Sequence, residues 1–170
     1  LSGRAAREGC ARFLASLLVV LAASSGRAAG MDPAPGELVD AYIEAWVDFY
    51  PSRAFAYGRS ASAASFEDYS RERLAAWLAF NEQTAERAAA ILDSADAPVG
   101  SDWTDLQVLA AQARNERARW QEDEPLTRQP QWYAEQISQA LTHLLVRDQL
   151  SAQERSNAMA ARLSGVQSLS

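Results

Sequence analysis

The stretch Trp46-Val47-Asp48-Phe49-Tyr50-Pro51-Ser52-Arg53-Ala54-Phe55-Ala56-Tyr57-Gly58 decides how this chain folds. Proline disfavours helical backbone in the residue before it, yet suits the first turn of a new helix. The stretch therefore reads as a helix that stops at Tyr50 and restarts at Pro51. The second piece is short, because Gly58 stands where a left-handed C-terminal cap is expected. Upstream, Leu38, Tyr42, Ala45, Trp46 and Phe49 recur at three- and four-residue steps, which is one buried stripe of a helix over 37–50. Glu37, Asp40, Glu44 and Asp48 mostly take the other side.

Downstream, residues 59–69 are rich in serine and alanine without a period, and read as a loop. Ser70 is placed to cap a long helix ending near Ser94. Its expected stripe is Leu74, Leu78, Ala85, Ala88 and Leu92, widened by Trp77, Phe80 and Ile91. Pro98-Val99-Gly100 interrupts the chain, and Ser101 or Asp102 is expected to cap a third helix from Trp103 to about Glu122. In it, Trp103, Leu106, Ala110, Ala113, Arg117 and Trp120 fall on a seven-residue repeat suited to packing at a shallow angle. Pro125 and Pro130 bracket a loop. A fourth helix is then expected to about Arg147, burying Tyr133, Ile137, Ala140, Leu141, Leu144 and Leu145. Ser151-Ala152-Gln153-Glu154 is a capping box opening a fifth helix with Met159, Leu163 and Val166. No segment alternates with the two-residue period of a half-buried strand. The expected fold is all-α, a bundle of about five helices with a Pro-broken first helix.

The first thirty residues differ in kind. Arg4, Arg7 and Arg12 precede an uncharged run from Phe13 to Ser25, and Gly26 and Ala28 suit cleavage after Ala28. A basic start, a short apolar core and a small-residue site describe a secretory signal peptide over 1–28. The run falls short of the ~20 residues that span a bilayer, which disfavours a retained anchor. Residues 29–36 have linker composition. The helical domain is assigned to 37–170. It is expected to be the N-terminal part of a larger domain, since the sequence starts without methionine and stops within a helical pattern.

Composition narrows the function classes. All 16 basic residues are arginine, which reads as coding bias. Loss of 1–28 removes Arg4, Arg7, Arg12, Arg27 and Glu8, leaving 12 arginines against 21 acids and a net charge of −9. So acidic a domain is a poor partner for nucleic acid or anionic lipid, and no membrane contact is expected beyond the signal segment. Cys10 precedes the apolar run and would leave with it, excluding disulfides and thiolate chemistry from the mature chain.

Few residues suggest chemistry. His143 is the sole histidine, with no glutamate or second histidine three or four positions away, so the helical zinc pattern is missing around it. It reads as a packed or solvated side chain sooner than a ligand or base. Arg114, Glu116, Arg117, Arg119, Glu122, Asp123 and Glu124 read as a solvated face with pairs three or four apart, sooner than a substrate-facing wall. Glu67, Asp68 and Glu72 are close in sequence, but acid–base work needs opposed geometry that spacing does not establish. Trp120, Trp132 and Tyr133 flank the Pro125–Pro130 segment, as its hydrophobic anchor or, less favoured, as a ligand groove. No catalytic, cofactor-binding or metal-binding residue is assigned.

From Tyr42 to Leu169 these features also stand in a familiar order. They are the Tyr50-Pro51 corner with Ala54-Phe55-Ala56-Tyr57-Gly58, then Asp68-Tyr69-Ser70 entering a long helix, then Asp102, Leu106 and Leu109. Trp120, Pro130, Tyr133, Glu154-Arg155 and Arg162-Leu163 follow. In this order the chain resembles the N-terminal part of a bacterial family catalogued as "domain of unknown function 885", whose full-length members are zinc-metallopeptidase-like. The chain departs from the family pattern in lacking a Tyr-Asp pair after Gly58 and a proline after Arg162-Leu163. The family's histidine-glutamate zinc motif lies beyond this segment, so its catalytic residues have no counterpart in these positions. The resemblance implies an exported, non-catalytic helical part of a metallopeptidase-like protein, with zinc and a peptide substrate engaged through the C-terminal part. The alternative is a free-standing periplasmic helical binding or scaffold module.

Overall fold

Why the chain turns at Tyr50 without losing its backbone hydrogen bonds is visible in the computed structural model, which describes residues 34–167. Helix α1 (Pro35–Phe49) ends at Tyr50, whose backbone (φ −118°, ψ 59°) is non-helical, as a residue before proline demands. Its N–H still donates to Trp46 O at 2.8 Å, and its carbonyl accepts from Ala54 N at 2.8 Å in α2 (Pro51–Ala56). Gly58 (φ 102°) then closes α2: Gly58 N donates to Phe55 O and Arg59 N to Ala54 O, a Schellman pair. The first helix starts earlier than expected, at Pro35 in its first turn, where a missing N–H is harmless.

The segment after Gly58 is not featureless. It contains a 3₁₀ turn at Ser60–Ser62, and Ala63, Glu67 and Tyr69 are buried. Ser70 Oγ accepts from Arg73 N and caps α3 (Arg71–Leu92). Helix α4 (Ser101–Gln121) begins two residues before the expected Trp103. Gly100 (φ 71°) takes the N-cap position, and neither Ser101 nor Asp102 caps it. The Pro125–Pro130 segment holds a short helix, α5 (Pro125–Arg128), where a loop was expected, introduced by Glu124 in the left-handed conformation. Helices α6 (Pro130–Val146) and α7 (Ala152–Gln167) follow. The capping box forms as expected: Glu154 Oε2 accepts from Ser151 N at 2.9 Å, and Glu154 N donates to Ser151 Oγ. Among the described residues there is no strand, and the fold is an all-α bundle with a Pro-broken first helix.

Helices α3 and α4 pack along their lengths, α1 lies against both, and α6–α7 form a second hairpin that α2 joins. The first core is aromatic. Phe49 stacks on Trp77 at 4.7 Å and meets Tyr50 edge-on at 4.7 Å, while Trp120 and Trp132 meet edge-on at 5.6 Å. A smaller core gathers Phe55, Ala63, Leu144 and Ala158.

The buried stripes are rotated from those expected. Helix α3 buries Trp77, Asn81, Thr84 and Ala88, and its leucines are only half-buried. Helix α4 buries Leu106, Leu109, Ala110, Ala113, Glu116 and Trp120, leaving Trp103 46% exposed and Arg117 half-buried. Helix α6 buries Trp132, Gln136, Ala140 and Leu144 and turns Leu145 outward. Helix α7 buries Ala158 and Arg162, with Leu163 exposed. The common cause is polar side chains such as Asn81, Glu116, Gln136 and Arg162, which enter the core because they find hydrogen-bond partners there. Residues 1–28 and most of the 29–36 linker lie outside the described residues; Pro35 and Gly36 of that linker belong to α1.

Candidate functional site

The corner that breaks the first helix also starts the polar architecture. Ser52, second residue of α2, has a backbone N–H without an intrahelical acceptor, as every first turn does. Glu67, arriving from the loop, supplies it: Oε1 accepts from Ser52 N at 3.1 Å and from Ser52 Oγ at 2.6 Å. Glu67 is only 3% exposed, and its second oxygen, Oε2, has no hydrogen-bond partner. Two residues on, Tyr69 packs its ring between Trp120 (5.3 Å) and Trp132 (5.1 Å), and its hydroxyl is likewise unpartnered. Burial first, then the charge of Glu67, pushes the Tyr69 phenol well above its ordinary pKa, so it stays protonated.

Arg162 of α7 is the counter-charge in this interior. It is 1% exposed, lies over the Phe55 ring at 5.2 Å, and donates to the carbonyls of Ala140 and Ser62. Burial pulls its guanidinium below the usual value, while the Glu67 charge acts the other way. Around Glu67 and Tyr69 lies a cavity of about 650 Å³, walled also by Phe66, Asp68, Tyr133 of α6 and Ala161 of α7. None of its lining residues is basic. Its lining offers carboxylates, serine hydroxyls and aromatic side chains.

A second polar knot locks the aromatic core. Tyr50 Oη donates to Glu116 Oε2 at 2.7 Å, Trp77 Nε1 donates to the same oxygen at 3.2 Å, and Trp120 Nε1 donates to Tyr50 Oη at 3.0 Å. Tyr42 Oη donates to Asn81 Oδ1 at 3.1 Å, and Asn81 Nδ2 to Trp77 O. Arg53 rests over the Tyr50 ring at 4.7 Å and donates to Gln136 Oε1 at 2.9 Å, tying α2 to α6. Burial and the nearby Glu116 carboxylate raise the phenols of Tyr42 and Tyr50 far above the ordinary value. This network holds structure, joining the corner to α3, α4 and α6.

The residues singled out from sequence separate in space. His143 is half-buried in the last turn of α6. The charged run is not one solvated face: Glu116 is buried, Arg117 pairs with Glu82 at 3.1 Å, and Arg119 lies 6.0 Å over Trp120. Glu122 and Asp123 are exposed, and Glu124 holds Thr127 and Arg128 of α5. Glu67 and Asp68 both line the cavity, with Asp68 Oδ1 accepting from Ser70 N, while Glu72 stands apart, exposed on α3. Trp120 and Trp132 are buried as anchors, and Tyr133 reaches the cavity. Arg162 was missed as a core residue, although its four-residue step from Ala158 put it on the buried side of α7. Cys10 lies outside the described residues.

Among the described residues, no three His, Cys, Asp or Glu side chains gather to hold a metal ion, and no helix is long and apolar enough to cross a membrane. No protein-family model, curated protein or solved structure matches this chain.

Proposed function

We propose that this chain is the N-terminal helical part of an exported metallopeptidase-like protein, forming one wall of a peptide cleft and non-catalytic by itself. The observation that carries the reading is where the residues of the resemblance sit. Tyr50, Tyr69, Leu106, Leu109, Trp120 and Arg162 are buried around the corner and the cores, whereas Tyr57, Asp68, Asp102, Glu154 and Leu163 of the same set are exposed. The buried six are positions whose order a shared architecture would preserve. The zinc motif of the family this chain resembles lies beyond this segment, so the reading assigns the hydrolytic step to the C-terminal part. The test is the downstream reading frame: a His-Glu-x-x-His-like motif is expected there, and its absence overturns the reading. Export is tested on the secreted product, whose first residue is expected to be Ala29.

A second reading, a free-standing periplasmic binding or scaffold module, is favoured by the self-contained aromatic core. Expression of residues 29–170 separates the two. A monomer with one sharp thermal transition favours the module, and a molten or aggregating product favours the larger domain.

A further inference from the structure

We infer that the cavity between residues 64–70, α6 and α7 is a binding site for an organic cation, a primary alkylammonium group. Two polar side chains on its wall, Glu67 and Tyr69, are more than nine-tenths buried, and each carries an oxygen without a partner in the fold. A buried carboxylate oxygen left without a donor is unfavourable, and an ammonium group brings three donors. Phe66, Tyr69 and Tyr133 line the same space, and aromatic rings attract cations.

Charge excludes the alternatives. Arg162 feels the charge of Glu67 but does not line the cavity; Asp68 adds a second carboxylate at the wall, and Arg53 is engaged by Gln136 and Tyr50. An anion would face carboxylates with no basic residue beside it. A neutral apolar guest would leave Glu67 Oε2 as it is. The volume, about 650 Å³, falls in the range of about 300–1,000 Å³ typical of small-molecule sites.

The ammonium group can belong to a lysine side chain of a peptide or to a free amine, and a titration of the full chain distinguishes them. Trp120 and Trp132 touch Tyr69, so tryptophan emission reports occupancy. Titration with n-butylamine is expected to saturate, with n-butanol at least about tenfold weaker. Nα-acetyl-lysine amide, whose side-chain ammonium is free, binding more tightly than butylamine assigns the site to peptides; equal binding assigns it to free amines. Glu67→Gln keeps an acceptor for Ser52 and is expected to lower butylamine affinity about tenfold. Ala161→Phe, on an exposed position of α7, fills the cavity and is expected to abolish binding with helix content unchanged. Equal affinity for butylamine and butanol, or undiminished butylamine binding in a folded Ala161→Phe chain, overturns the inference. Neither result depends on what the downstream frame encodes, so the two proposals fail separately.

Discussion

Tyr50 does more than end a helix. Its hydroxyl donates to Glu116 and accepts from Trp120, so one oxygen joins α1 to two turns of α4. Tyr50→Phe leaves the Trp120 indole N–H without its acceptor and removes one donor from a buried carboxylate. The expected loss is about 2 kcal/mol, read as a lower urea midpoint at unchanged slope. Glu116→Ala is expected to cost more, about 3 kcal/mol, because it strands the Tyr50 hydroxyl and the Trp77 indole together and leaves a void. Neither partner could be found from local sequence, since Glu116 lies 66 residues from Tyr50 and 39 from Trp77. Read locally, it was one more charge in the run between Arg114 and Glu124. The same distance hid Glu67: its carboxylate beside Asp68 was visible, but its engagement with Ser52 was not.

At the scale of elements, what could be read in advance was punctuation. Pro51, Gly58, Ser70 and the Ser151–Glu154 box act through backbone geometry within four residues, and all four end or start helices where expected. Gly58→Ala tests that logic. A Cβ there meets only Gln149 Nε2 at 3.9 Å, so space is not the obstacle, but φ 102° is. The expected loss is about 1–2 kcal/mol by thermal or urea melting. Which face each helix buries was less legible, because Asn81 and Arg162 enter the core only through partners on other elements. Arg162→Met removes the donors to Ala140 and Ser62 while keeping most of the side-chain volume, so it loosens α7 specifically. Amide exchange is expected to quicken across Ala152–Gln167 and at the 3₁₀ turn, with α3 and α4 unaffected. Uniform acceleration across the bundle would contradict this division.

For the molecule as a whole, the buried tyrosines make high pH the direction of weakness. Tyr42, Tyr50 and Tyr69 are all raised above the ordinary value of 10.0, in each case mainly by burial, with Glu116 or Glu67 adding to it. Below about pH 10 both folded and unfolded chains hold these protons, and the stability they confer is fully present. Above it the unfolded chain ionises while the folded one does not, so the unfolded state binds fewer protons and stability falls with rising pH. Each phenol that keeps its proton contributes about 1.4 kcal/mol per pH unit to that fall. Against a total of about 5–15 kcal/mol for a domain, three such groups bring unfolding within reach soon after the unfolded-state pKa is passed. Because Tyr42 and Tyr50 bond into α3 and α4 and Tyr69 packs on Trp132 of α6, their release is not local. Loss of helical circular dichroism and the rise of tyrosinate absorbance for these three residues are expected to coincide in one transition. Tyr42→Phe, which sets aside one proton, is expected to make the alkaline slope shallower. Ionisation of all three phenols with the helix signal intact would show that the aromatic core does not hold its protons by burial.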